Sequence, residues 1–114
     1  MYIPDRGHVV WLHFNPQAGH EQSGHRPALV LSPAAYNGKT GLALFCPITN
    51  QIKGYPFEVK ITGNPIISGV VLADQVKNLD WQARSVRFAT LVDESLLDDV
   101  ISKFETLIRL DEES

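Results

Sequence analysis

Apolar residues come in short bursts along most of this chain and change to a helical period only near its end. The first burst, His8-Val9-Val10-Trp11-Leu12-His13-Phe14, is rich in β-branched and aromatic residues and is bounded by Gly7 and Asn15-Pro16, which predicts a strand. Residues 15–25 have no periodicity and read as a long loop, a kind of segment that is often functional. The run Arg26 to Ser32 predicts a second strand, with Pro27 at its entry or on an edge because proline donates nothing to a ladder. Pro33 to Lys39 reads as one helical turn closed by Asn37-Gly38, and Leu42 to Cys46 as a strand ended by Pro47. Residues 49–54 form a polar turn, and Pro56 to Ile61 alternate with period two, as a half-buried strand does. Further strands fall at 69–72 and 85–91, while the stretch from Ala73 to Trp81 shows no clear preference.

From Asp93 the period becomes helical. Leu96, Leu97, Val100, Ile101, Phe104, Leu107 and Ile108 recur at i, i+3 and i+4, with Asp93 as N-cap, so an amphipathic helix is expected over about residues 93–110. Asp99 with Lys103 and Glu105 with Arg109 are acid-before-base i,i+4 pairs worth about 0.3 kcal/mol each. Six or so strands and one closing helix predict a small, strongly bent, mostly antiparallel sheet or barrel.

Composition narrows the function. A length of 114 residues fits a single domain over 1–114. One Cys excludes an intrachain disulfide and any multi-thiolate zinc site, and no apolar stretch approaches the roughly 18 residues of a membrane span. The segment Met1 to Gly7 lacks a leader pattern, so the cytoplasm is the expected compartment, with no membrane partner. The net charge of −3 conceals an uneven distribution: residues 1–92 carry +3 and residues 93–114 carry −6. A basic body keeps a polyanion open as partner, and the acidic tail 111–114 reads as solvated.

Four His within residues 8–25 invite a metal, but His8 and His13 fall on opposite faces of one strand, and His20 and His25 lack a nearby carboxylate pair. No metal or other cofactor is expected. Cys46 sits in an apolar run and reads as a buried, inert thiol. There is no nucleophile elbow, phosphate-binding glycine loop or dinucleotide fingerprint. Polar material gathers instead at loops and strand ends: Glu21, Gln22, His25 and Arg26; Thr49, Asn50, Gln51 and Lys53; Asp74, Gln75 and Lys77. If these segments meet at one rim, they form a groove in which amides and carboxylates meet bases and cations meet phosphates, as single-stranded nucleic acid requires.

Three runs carry a family resemblance: Gly7 to Pro16, then Gly19 to Ser32 with its Gly24-His25-Arg26-Pro27, then Pro47-Ile48-Thr49-Asn50-Gln51. With Lys53-Gly54-Tyr55-Pro56-Phe57-Glu58-Val59 and Ala73-Asp74-Gln75-Val76-Lys77, they resemble the MazF/PemK toxins of bacterial toxin–antitoxin pairs from about Pro4 to Leu110. The resemblance implies an SH3-like bent antiparallel barrel with a C-terminal helix, working as a homodimer. It also implies a metal-independent endoribonuclease that cuts single-stranded RNA, including mRNA, at short motifs and is restrained by a MazE-like antitoxin. The implied chemistry is attack of the substrate's own 2′-hydroxyl, leaving a 2′,3′-cyclic phosphate and a 5′-hydroxyl.

The family's catalytic pair falls on Arg26 and Thr49, with Glu21 as the next contributor. Arg26 suits the equatorial oxygens of a phosphorane, because its planar fork donates two hydrogen bonds where charge grows. The general base stays open among Glu21, His25 and Arg26, since a guanidinium with a pKa above about 12 is a poor base. The RNA-binding set implied is His13, Asn15, Gln22, His25, Gln51, Lys53, Gln75 and Lys77. Gly7-His8 replaces the family's common Gly-Asp, and His13, Asn15 and His20 also depart from its usual residues, so the base motif cannot be copied from relatives. Two rival readings are a CcdB-like toxin that shares the barrel but binds DNA gyrase, and a plain SH3-like interaction module.

Overall fold

The computed structural model describes residues 1–14 and 25–109. Within them lie seven strands and two helices in the order β1 (His8–His13), β2 (His25–Val30), α1 (Ala34–Thr40), β3 (Leu42–Thr49), β4 (Glu58–Lys60), β5 (Val70–Leu72), β6 (Lys77–Asp80), β7 (Arg87–Leu91) and α2 (Glu94–Glu105). Every pairing is antiparallel, in the order β4-β5-β3-β2-β1-β7, with β6 branching from β3. A mostly β antiparallel sheet with a C-terminal helix is the architecture expected.

Residues on β1 explain why the strands read as unbroken apolar runs. Val9 packs with Leu29, Cys46, Ile48 and Val71 beneath Leu96 and Val100 of α2, whereas Val10 and Leu12 turn the other way, onto Ala28, Val30, Phe45 and Trp81. Both faces of the central strands are covered, so consecutive residues are apolar. Complete burial of a Leu or Phe side chain contributes about 1.5–3 kcal/mol, and Leu12, Leu29 and Phe45 are all fully buried.

Four of the chain's elements depart from the sequence expectations. First, β3 continues through Pro47 to Thr49 instead of ending at Cys46. The Leu44 carbonyl accepts from Leu31 N on the β2 side, so alternation turns the nitrogen of Pro47 toward the opposite side, where β3 passes from its partner β6 to its partner β5. A missing donor costs nothing at that gap. Second, the ambiguous stretch contains β6, which has one large apolar residue, Leu79, and is a strand because Leu42 to Phe45 pair with it.

Third, the short helix runs to Thr40 and does not close at Asn37-Gly38. Asn37 is buried instead, donating to the carbonyls of Pro4 at 2.7 Å and Ser32 at 2.9 Å and accepting from Ser32 Oγ at 2.6 Å. Fourth, α2 ends at Glu105, short of residue 110. Beyond it the chain continues in turns, with Leu107 N donating to Phe104 O at 2.9 Å and Ile108 N to Glu105 O at 3.1 Å, and Leu107 and Ile108 are 51% and 65% exposed, so little packing supports a longer α-helix. Asp93 caps α2 as expected, accepting from Leu96 N at 3.1 Å. Glu105 and Arg109 pair at 3.2 Å, and Asp99–Lys103 does not form. The tail 111–114 lies outside the described residues. No described helix is long and apolar enough to cross a membrane.

Candidate active site

The register of β2 and β3 brings two of the candidates together. The paired stretch ends with Ala28 opposite Pro47, and Arg26 and Thr49 each stand two residues beyond that last pair, one on either strand. Alternation gives both side chains the same face of the sheet. They line a groove of about 250 Å³, with Gln51, Lys53 and Gln75 in its walls. Segments far apart in the chain thus meet at one rim.

Backbone close approach fixes Thr49. Gly69, at φ 109°, passes so near β3 that a Cβ there would stand 2.3 Å from the Thr49 carbonyl oxygen and 2.9 Å from Asn50 Oδ1. Only glycine fits both that conformation and that space. The Thr49 hydroxyl oxygen accepts from Gln51 N at 3.0 Å, which leaves the hydroxyl proton for a ligand.

The loop that follows is held by two acidic residues. The Glu58 carboxylate accepts from Lys53 N and Gly54 N, both at 2.9 Å, and the Tyr55 hydroxyl donates to Asp74 Oδ1 at 3.0 Å. Desolvation, then the hydrogen bond to Asp74, raises the Tyr55 phenol above its ordinary value. Tyr55 and Glu58 both line the groove and are site residues that the sequence reading does not single out. Their signal lies in the run Lys53 to Val59 that carries the family resemblance, but there Glu58 reads only as the polar position of an alternating strand.

Other candidates lie elsewhere. His13 and His25 are cross-strand partners on β1 and β2 with ring centroids 4.0 Å apart, and alternation turns His25 to the face opposite its neighbour Arg26. Desolvation first, then the charge of His13, lowers the His25 pKa. Lys77 stands 5.8 Å from the centroid of the Phe14 ring, a cation–π contact, and does not line the groove. Asn15, Glu21 and Gln22 lie outside the described residues. Cys46 is buried, and burial with the nearby Asp74 pushes its thiol up to about 12. Among the described residues no group of three or more His, Cys, Asp or Glu is placed to hold a metal ion.

The groove combines a planar guanidinium, a hydroxyl, two side-chain amides and an ammonium, while the Glu58 carboxylate in its wall accepts from Lys53 N and Gly54 N, and this set suits an anionic, single-stranded ligand. Comparison with known proteins points the same way. The chain is 49% identical over 107 residues to the endoribonuclease toxin MazF of Escherichia coli K12, covering 94% of this chain and 96% of that one. It is 34% identical to the E. coli endoribonuclease PemK, covering 91% of this chain and 81% of PemK. Its fold matches crystal structures of MazF from Deinococcus radiodurans (TM-score 0.87, 53% identity, 96% of this chain and all of that one) and of a MazE-MazF complex from the same organism (TM-score 0.86, 46% identity, 97% of this chain and all of that one). The profile of the PemK-like, MazF-like toxins of type II toxin–antitoxin systems matches residues 5–108, and the chain belongs to that family.

Proposed function

We propose that this chain is the endoribonuclease toxin of a type II pair, that it cuts single-stranded RNA at short motifs by metal-independent 2′-hydroxyl attack, and that a MazE-like antitoxin restrains its homodimer in the cytoplasm. The observation that carries this reading is the meeting of Arg26 and Thr49 across β2 and β3 in one groove. In the reaction the 2′-oxygen bonds to the adjacent phosphorus, loses its proton, and the bond from phosphorus to the 5′-oxygen breaks. The departing oxygen takes up a proton and becomes a 5′-hydroxyl. Arg26 donates to the non-bridging oxygens as charge accumulates, and the free Thr49 hydroxyl donates to the same oxygens or orients the 2′-hydroxyl. Lys53 meets a flanking phosphate, and Gln51 and Gln75 face base edges. An acidic antitoxin segment would offer carboxylates to the same cations, so inhibition competes with RNA.

Incubation with a mixed-sequence RNA in excess EDTA tests the proposal. The expected products end in 2′,3′-cyclic phosphate and 5′-hydroxyl, and a 2′-deoxy ribose at the cut site abolishes cleavage. Activity lost in EDTA and restored by magnesium or zinc, or products with 5′-phosphates, would contradict it.

A further inference from the structure

Arg26, Thr49 and Lys53 account for phosphate, but a strand held only by its phosphates leaves its bases free to swing. We infer that Tyr55 is the platform on which one base of the bound RNA stacks, an inference that rests on the ribonuclease reading above. Among the described residues Tyr55 is the one aromatic side chain lining the groove. Several other rings near the surface are engaged. Tyr2, His8 and Phe88 pack on one another, Phe14 carries the cation of Lys77, and Tyr36 accepts from Asn78. Among the described residues no ring stacks on Tyr55.

The ring is also held in place before a ligand arrives. Its hydroxyl is tied to Asp74, beyond β5, and the two residues before it are tied through their N–H groups to Glu58. Anchoring on both sides removes most of the ordering entropy that a free tyrosine would lose on binding. A platform of this kind admits a splayed base of a single strand and excludes a duplex, whose bases already stack on one another. Stacking tolerates every base, so Tyr55 supplies affinity and alignment, not sequence choice. Glu58 and Asp74 are positioning residues in this arrangement.

The test uses a short RNA that carries a motif the protein cuts, made uncleavable by a 2′-deoxy ribose at the cut site, with 2-aminopurine placed at each position in turn. Binding to the wild type quenches the fluorescence at one position. Tyr55→Ala loses that quench and raises Kd at least about tenfold, as expected for one lost stacking contact. With cleavable RNA the same variant raises KM, keeps kcat within about threefold, and keeps the same cut motifs, which a lost residue of the chemical step would not do. Tyr55→Phe keeps the ring and the quench, and Tyr55→Leu keeps the bulk and loses the quench, so the result does not depend on one variant folding well. A wild type that cleaves RNA but shows no quench at any position overturns the platform alone. So does a Tyr55→Ala protein that binds and quenches like the wild type, or one whose loss lies wholly in kcat. A wild type that neither binds nor cuts RNA overturns the ribonuclease reading and this inference with it.

Discussion

The two ends of β2 differ sharply in burial. Ala28, Leu29 and Val30 are fully buried and divide between the two cores, whereas His25 and Arg26, in the same strand, are exposed. In the proposed function one strand therefore carries stability at one end and chemistry at the other. In the proposed function the buried end holds the exposed end in place, since the pair Ala28–Pro47 lies two residues from both Arg26 and Thr49, which line one groove. Function and stability should accordingly separate by residue, with a few positions where they do not.

The largest effect belongs to the buried side. Phe45→Ala removes a fully buried ring that packs against Val10, Leu12 and Trp81, and should cost about 3–5 kcal/mol in urea unfolding, with cleavage lost only in proportion to the unfolded fraction. Gly69→Ala probes the place where the two regions touch. Its Cβ collides with the Thr49 backbone at a left-handed φ, so unfolding should be easier by about 2–3 kcal/mol and cleavage should fall even where the protein is fully folded. A folded Gly69→Ala protein with full activity would detach Gly69 from the site.

Asp93→Ala removes the N-cap of α2, far from the groove. A loss of about 1 kcal/mol in stability is expected, with cleavage by the folded protein unchanged. The smallest effect is that of pH on the histidine pair. Desolvation and the charge of His13 hold the His25 pKa below its ordinary 6.5, and Arg87 adds to the shift, so the folded chain binds that proton more weakly than the unfolded one. The sign follows. His25 leaves stability intact above pH 6.5 and subtracts from it as pH falls through 6.5 toward the lower folded value. His25→Asn should flatten the decline of the urea midpoint between pH 7.5 and about 5.5. An unchanged slope would remove His25 as its source.

How far the sequence announces these features depends on which interactions create them. β1, β2 and α2 are legible because their apolar periods and the Asp93 cap are local signals, and α2 packs Leu96, Leu97, Val100 and Ile101 of the residues its period marks. Arg26, Thr49, Gln51, Lys53 and Gln75 were legible as polar clusters at strand ends, and they meet in one groove. β6 was not, because Lys77-Asn78-Leu79-Asp80 has no strand pattern of its own and owes its form to β3. Pro47 misled for a related reason, since only the change of partner along β3 reveals that its missing donor is harmless. Tyr55 and Glu58 act through Asp74 and through the N–H groups of Lys53 and Gly54, and no spacing in the sequence announces such contacts.

In the proposed function the exposed end of β2 performs the chemistry that its buried end positions. Arg26→Ala tests it most directly, with single-turnover cleavage and urea unfolding measured on the same preparation. The expected rate is lower by at least about a hundredfold, equivalent to roughly 3 kcal/mol of barrier, with stability within ~1 kcal/mol of the parent. Cleavage at the parent's rate, or a loss of activity matched by a comparable loss of stability, would contradict it.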